Sequence, residues 1–183
     1  MIYFTSDLHL GHKAVIGMND RPFADVEEMN TVLIENINER VKQNDTLYIL
    51  GDLSFRIPLS QANELIQKIH CRNRYLLMGN HDKNYDSSLF KGIYDFKKVN
   101  MISYDQVNYD ISLMHYPMME WPRSRHGSVH FHGHIHSRGS DYNKRMKQEG
   151  IRRYDVGVDA NEYRPVSLDE ILEFMEMEKT SHI

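Results

Sequence analysis

A chain of 183 residues with a formal net charge of -4 and 40% hydrophobic residues is long enough to bury a core within one domain. Its single cysteine, Cys71, excludes a disulfide framework and any cysteine-based zinc module, and reads as a small buried apolar residue. The acidic balance argues against nucleic-acid binding through bulk charge; with no signal-peptide pattern at the N-terminus and no apolar run of membrane-spanning length, a cytoplasmic protein without a membrane partner is expected.

Ile2–Thr5 is a β-favouring run that ends at Ser6-Asp7 and reads as a first strand. Residues 11–22, with Gly11, Gly17 and Pro22, read as a loop. Asp25 and Glu28 stand at capping-box spacing, and Val26, Met29, Leu33, Ile37 and Val41 follow at helical intervals, which predicts an amphipathic helix over 26–43. Residues 46–50 form a second apolar strand ending at Gly51-Asp52. Ser60 is placed to cap a helix that buries Ala62, Leu65, Ile66 and Ile69. A third strand, 75–78, ends at Gly79-Asn80-His81-Asp82. Beyond it, 94–104 and 107–114 read as successive strands, the latter ending at His115-Tyr116-Pro117. Strand 129–131 runs into a tract with four histidines in seven residues, His130 to His136, and 154–158 is a further strand. Ser167 with Glu170 opens a last capped helix bearing Leu168, Ile171, Leu172 and Met175 on one face.

Alternation of strand and helix in the first half, and strands in the second, predict a mixed sheet arrangement flanked by helices. Each apolar strand is followed at once by metal-capable side chains: Asp7 and His9, then Asp52, then Asn80 and His81, then His115, then His134. Loops at the carboxyl ends of strands converge in open α/β sheets, so these residues are expected at one edge. Gly51, Gly79 and Gly133 read as turn glycines. Oxygen and imidazole donors without sulfur suit Mn, Fe, Zn, Ni or Co. Asp7, His9, Asp52, Asn80, His115, His134 and His136 are too many for one ion and suit two that share a carboxylate. Such a pair can activate water and clamp both oxygens of a phosphoryl transfer. Taken singly, each aspartate is readable as a turn residue or cap, and His115 as a core or surface histidine. No nucleophile-elbow or P-loop pattern competes.

In their order, Asp7-Leu8-His9, Gly51-Asp52, Gly79-Asn80-His81-Asp82, His115 and Gly133-His134-Ile135-His136 resemble the calcineurin-like metallophosphoesterases, of the small single-domain bacterial or phage type. The resemblance implies an α/β fold over residues 1–183: a four-layer α/β/β/α sandwich of two mixed sheets with a dinuclear centre at the sheet edge. It implies two divalent ions, manganese foremost. Asp7, His9, Asp52 and His136 would hold one, and Asp52, Asn80, His115 and His134 the other, with Asp52 bridging. A hydroxide between the ions is the implied nucleophile. His81 matches the family's leaving-group acid, and Asp82 is expected to orient it and favour its protonated form.

His12, Tyr116, Arg123 and Arg138 are the expected substrate contacts; His12 is equally readable as an exposed loop histidine. Trp121 is readable as a contact or, preferably, as a hydrophobic anchor. His126, His130 and His132 match no ligand position; the last two read as supporting partners of ligands or as strand packing. Residues 123–155 carry eight Lys or Arg against three acids, either a solvated loop or a patch for a phosphorylated substrate. The expected function is metal-dependent hydrolysis of a phosphomonoester or phosphodiester of a small-molecule or nucleotide type. An RNA or single-strand nuclease, and a non-catalytic protein-binding scaffold, are the alternatives.

Overall fold

Alternating burial along the strands divides the apolar residues between two cores. The structure, a computed structural model, describes residues 1–104 and 106–175. In β1 (Ile2–Thr5), Tyr3 enters one core and Phe4 the other. In β2 (Thr46–Ile49), Leu47 and Ile49 join Tyr3, while Tyr48 joins Phe4. The first core packs this sheet on Met29, Leu33 and Ile37 of α2 (Val26–Arg40) and on Ala62 and Ile66 of α3 (Leu59–Gln67). The second lies between two sheets, where Phe4 meets Phe131 edge-on at 4.8 Å. Leu168, Ile171 and Leu172 of α5 (Leu168–Phe174) complete it.

The first sheet runs β4 (Gly92–Tyr94), β3 (Asn73–Leu77), β2, β1, β9 (Val166–Ser167), with β9 antiparallel to an otherwise parallel set. The second runs β5 (Phe96–Ile102), β6 (Asn108–Met114), β7 (Val129–His132), β8 (Arg153–Asp155), with only β5 antiparallel. Helix α4 (Asp141–Gln148) packs on β8, where Asn143 exchanges hydrogen bonds of 2.8 and 3.0 Å with the Asp155 backbone. Both sheets are mixed and flanked by helices, as expected. Among the described residues no helix is long and apolar enough to cross a membrane.

Several boundaries differ from expectation. The loop at 11–22 contains α1 (Lys13–Met18), which buries only Val15 and is too short to show periodicity. Helix α2 stops at Arg40 because Val41, extended at φ −97° and ψ 111°, turns into the core. Helix α3 starts ahead of Ser60, with Pro58 at the N-cap and no side-chain cap. The expected strand at 94–104 breaks at Asp95 into β4 and β5, which belong to different sheets. Helix α4 was hidden in the basic stretch, since it buries only Asn143 and Met146. The strand at 154–158 ends at Asp155 and gives way to a 3-10 turn, Val158–Ala160.

Candidate metal centre

The loops leaving β1, β2, β6 and β7 are tied by backbone hydrogen bonds. Asp7 N donates to Gly51 O (3.0 Å), His9 N to Asp52 O (2.9 Å) and Gly133 N to His115 O (2.9 Å). Asp7, His9, Asp52, His134 and His136 all take positive φ, from 46° to 73°. That conformation costs an L-residue about 1–2 kcal/mol. Five of the seven expected ligands thus sit in strained backbone, as do six other described residues. Gly51 has φ +91°, as a turn glycine should. Gly79 and Gly133 lie outside that region and serve close approach instead. A Cβ on Gly133 would fall 1.8 Å from Ser6 Oγ, and one on Gly79 2.3 Å from Asp52 Oδ1.

The donors gather into two clusters, Asp7/His9/His136 and Asp52/His115/His134, each with one ligand atom per residue within 4.8 Å of the others. His9 Nε2 lies 3.1 Å from His136 Nε2, and His134 Nδ1 lies 3.2 Å from His115 Nε2. Imidazole nitrogens this close need a proton or a cation between them. Asn80 Oδ1 joins the second cluster at 3.2 Å from His115 Nε2. Asp52 Oδ2 stands 3.5 Å from both His9 Nε2 and His115 Nε2, within reach of both clusters.

Burial pushes the Asp7 carboxyl up to about 7, against the lowering influence of His136 and His115. Burial acts the same way on Asp52, but the hydrogen bond and charge of His115 outweigh it and hold the carboxylate at about 2. Burial and the neighbouring His136 lower His9 to about 3, leaving a neutral imidazole suited to ligation. His115 and His136 are also disfavoured as cations by burial, yet Asp52 and Asp7 raise the first and Asp159 and Asp7 the second. A field that draws protons onto these rings draws metal ions equally. Converging ring nitrogens, buried carboxylates and the absence of sulfur among the donors fit two divalent ions.

His81 stands at the open side. Its backbone N donates to Asp52 Oδ1 (2.9 Å), its Nε2 is 4.0 Å from Asp52 Oδ2, and its ring packs edge-on against Phe55 at 4.5 Å. Asp82 does not take the expected position beside that ring. Its carboxylate accepts from Asp52 N (2.9 Å), Leu53 N (2.8 Å), Gly79 N (2.8 Å) and the Tyr85 hydroxyl (2.9 Å), so it pins two loops together. The His12 ring is 5.3 Å from His9 and 4.0 Å from Phe55, and Tyr116 packs edge-on against His134 at 4.7 Å. Both line the centre.

Arg123 does not. It pairs with Asp110 of β6 at 2.9 Å, five residues of strand, or roughly 17 Å, before His115. Arg138 lies on the rim but is engaged, bonding the Asp20 carboxylate and Met18 O (3.0 Å). Trp121 is an anchor: it is buried and its indole donates to Ser128 O at 3.2 Å. His130 accepts from Met118 N (3.1 Å) at Nε2 and faces Ser112 O (3.0 Å) with Nδ1, while His132 faces Gly133 O (2.8 Å) and the Tyr142 hydroxyl (3.2 Å). Burial lowers them to about 4 and about 3, so both are neutral packing residues.

Residues beside the centre but outside the expected set include Phe55, Asn19, Arg21 and Asp159. Phe55 follows Gly51-Asp52 in a stretch with no motif of its own. Arg21 and Asp159 form a buried ion pair at 2.8 Å, joined across 138 positions. Asp159 directly follows the run expected as a strand at 154–158, the same strand-end signal that marks the donors, whereas nothing in the local sequence marks Arg21.

Residues 1–138 match the family described as calcineurin-like phosphoesterase. The chain is 32% identical over 179 residues to protein MJ1445 of Methanocaldococcus jannaschii, covering 97% of this chain and 93% of that one. It is 32% identical over 200 residues to the Gene 66 protein of Mycobacterium phage L5, covering 94% and 93%. The crystal structure of AQ665 from Aquifex aeolicus is similar with a TM-score of 0.71 and 27% identity, covering 94% of this chain and 98% of that one.

Proposed function

The chain belongs to the calcineurin-like phosphoesterase family, and from that premise we propose that it hydrolyses a small-molecule or nucleotide-type phosphomonoester or phosphodiester at a centre of two divalent ions. The observation that carries this reading is the Asp52 carboxylate, whose Oδ2 is equidistant at 3.5 Å from a histidine of each cluster. Asp7, His9, Asp52 and His136 would hold one ion, and Asp52, Asn80, His115 and His134 the other. Manganese suits these donors. Two such ions, when bound, lower the pKa of water and stabilise charge on attacking and leaving oxygens.

The chain's own residues supply the rest. Asp7 and His115 are fully buried, so the far side of the centre is closed to solvent, while His134 and His81 face the opening. A substrate phosphate therefore approaches from the His81 side. There the ring, braced by Phe55, is placed to give a proton to the leaving oxygen. Tyr116 and His12 flank the same opening on opposite clusters.

The test is to strip the purified chain of metal, restore manganese, and follow hydrolysis of mono- and bis-p-nitrophenyl phosphate. Turnover that returns with the metal is expected; two ions bound with no turnover of either ester would overturn the hydrolase reading for such substrates. His81→Ala should keep both ions and lose more rate on poor leaving groups than on good ones. Equal loss on both would remove the acid role.

A further inference from the structure

We infer that Arg21 and Asp159 are a positioning pair for one half of the metal centre: Asp159 sets the tautomer of His136, and Arg21 locks Asp159 to the loop that carries Asp7. The role rests on the metal-centre reading above, but its mark on His136 exists without metal or substrate.

The pair is bidentate, with Arg21 Nε 2.8 Å from Asp159 Oδ1 and Nη2 2.9 Å from Oδ2, and both side chains are buried at 2% exposure or less. A buried ion pair stabilises a fold little compared with apolar residues of the same volume. What distinguishes this one is where its remaining hydrogen bonds end. Arg21 Nη2 donates to Asp7 O (2.8 Å) and Nη1 to Leu8 O (3.0 Å), the backbone between the ligands Asp7 and His9. Asp159 Oδ2 faces His136 Nδ1 at 2.8 Å. The guanidinium thus spans from the first ligand loop to the carboxylate behind the last ligand.

A carboxylate held by a guanidinium is an acceptor only. The proton in the Asp159–His136 contact must therefore sit on Nδ1, which in the neutral ring leaves Nε2 bare. That nitrogen is the one 3.1 Å from His9 Nε2 and 3.8 Å from Asp7 Oδ1, facing the cluster. One competitor stands at the same place. The Asn19 amide nitrogen lies 3.2 Å from Asp159 Oδ2 and 2.6 Å from His136 Nδ1. If it donated to Nδ1, the ring proton would move to Nε2 and block ligation. The ion pair favours the first arrangement, because an ionised Asp159 can only accept and a bare Nδ1 facing it at 2.8 Å would set two lone pairs against each other. Among the described residues the other half has no such pair: His115 Nδ1 is set by the backbone carbonyl of Leu50 at 2.8 Å.

The experiment uses the full chain, metal-free and labelled with nitrogen-15 in histidine, in alkaline buffer. Long-range proton–nitrogen spectra read each tautomer, and His136→Gln identifies the His136 signals by their loss. The expected result is an Nδ1–H tautomer for His136 in the wild type; an Nε2–H tautomer overturns the inference, and this reading needs no variant to fold. In Asp159→Asn, His136 should move toward Nε2–H. One equivalent of manganese should bind about 10–100-fold more weakly while the other is unchanged, and Asp159→Glu should recover part of the loss. Equal weakening of both equivalents, or of neither, overturns it. Absence of hydrolysis would remove the enzymatic reading and leave these outcomes intact.

Discussion

Around Asp7, His9 and His136 the supporting groups are charged side chains, Arg21 and Asp159, brought from opposite ends of the chain. Around Asp52, Asn80, His115 and His134 they are mostly backbone: Leu50 O holds His115, and the Asp52 and Leu53 amides hold Asp82. The carboxylates follow suit. Asp7, enclosed without a fixed cation at its oxygens, is pushed up to about 7, whereas Asp52, bonded by His115, is held at about 2. One half carries an electrostatic cost when empty and the other is largely compensated by its own neighbours. The same donor chemistry is thus built in two ways, with the bridging carboxylate compensated by its own neighbours and the Asp7 carboxylate not.

The largest test of this division is Asp52→Ala. It should abolish binding of both ions by metal analysis, whereas His136→Ala should remove one; if His136→Ala empties both, the two halves are not separable. Next, Asp82→Ala leaves the amides of Asp52, Leu53 and Gly79 without their acceptor. A loss of about 3 kcal/mol in urea unfolding is expected, with the pH profile of any residual activity unmoved. A shifted profile would restore Asp82 as the partner of His81.

A further pair of effects has opposite signs in the two halves. Asp7 has a folded-state value of about 7 against 3.8 unfolded, so its ionisation opposes folding as pH rises through that window. Asp7→Asn should stabilise the metal-free protein by about 4 kcal/mol above pH 7 and match the wild type near pH 4. Asp52 lies below its unfolded value, so its contribution is present above pH 3.8 and lost as pH falls through about 2. Asp52→Asn should therefore destabilise the metal-free protein at neutral pH by about 2 kcal/mol. Same-sign effects would break the comparison. The smallest effect belongs to Arg123→Ala, which severs only an exposed pair with Asp110. Less than about 1 kcal/mol of stability and an unchanged KM are expected; a clear rise in KM would return Arg123 to the substrate side.

The residues that gather into the two clusters were legible because they lie within a few residues of a strand's carboxyl end, and the parallel strands of either sheet deliver those ends to one edge. The elements that escaped notice, α1 and α4, bury too few side chains to leave a period in the sequence. The break at Asp95 escaped for another reason. It transfers the chain between sheets, and an extended residue looks alike in either.

By itself the sequence determined the sheet-and-helix frame, the donors and their order along the chain, since periodicity and strand-end placement are local properties. Only tertiary structure decided the rest: that His130 and His132 are buried and neutral, that Asp82 serves the backbone, that Arg123 stands along the strand from the centre, and that Arg21 meets Asp159. Those outcomes depend on which desolvated group finds a partner across the fold, and hydrogen-bonding capacity carries no sign in the sequence of where its partner will be.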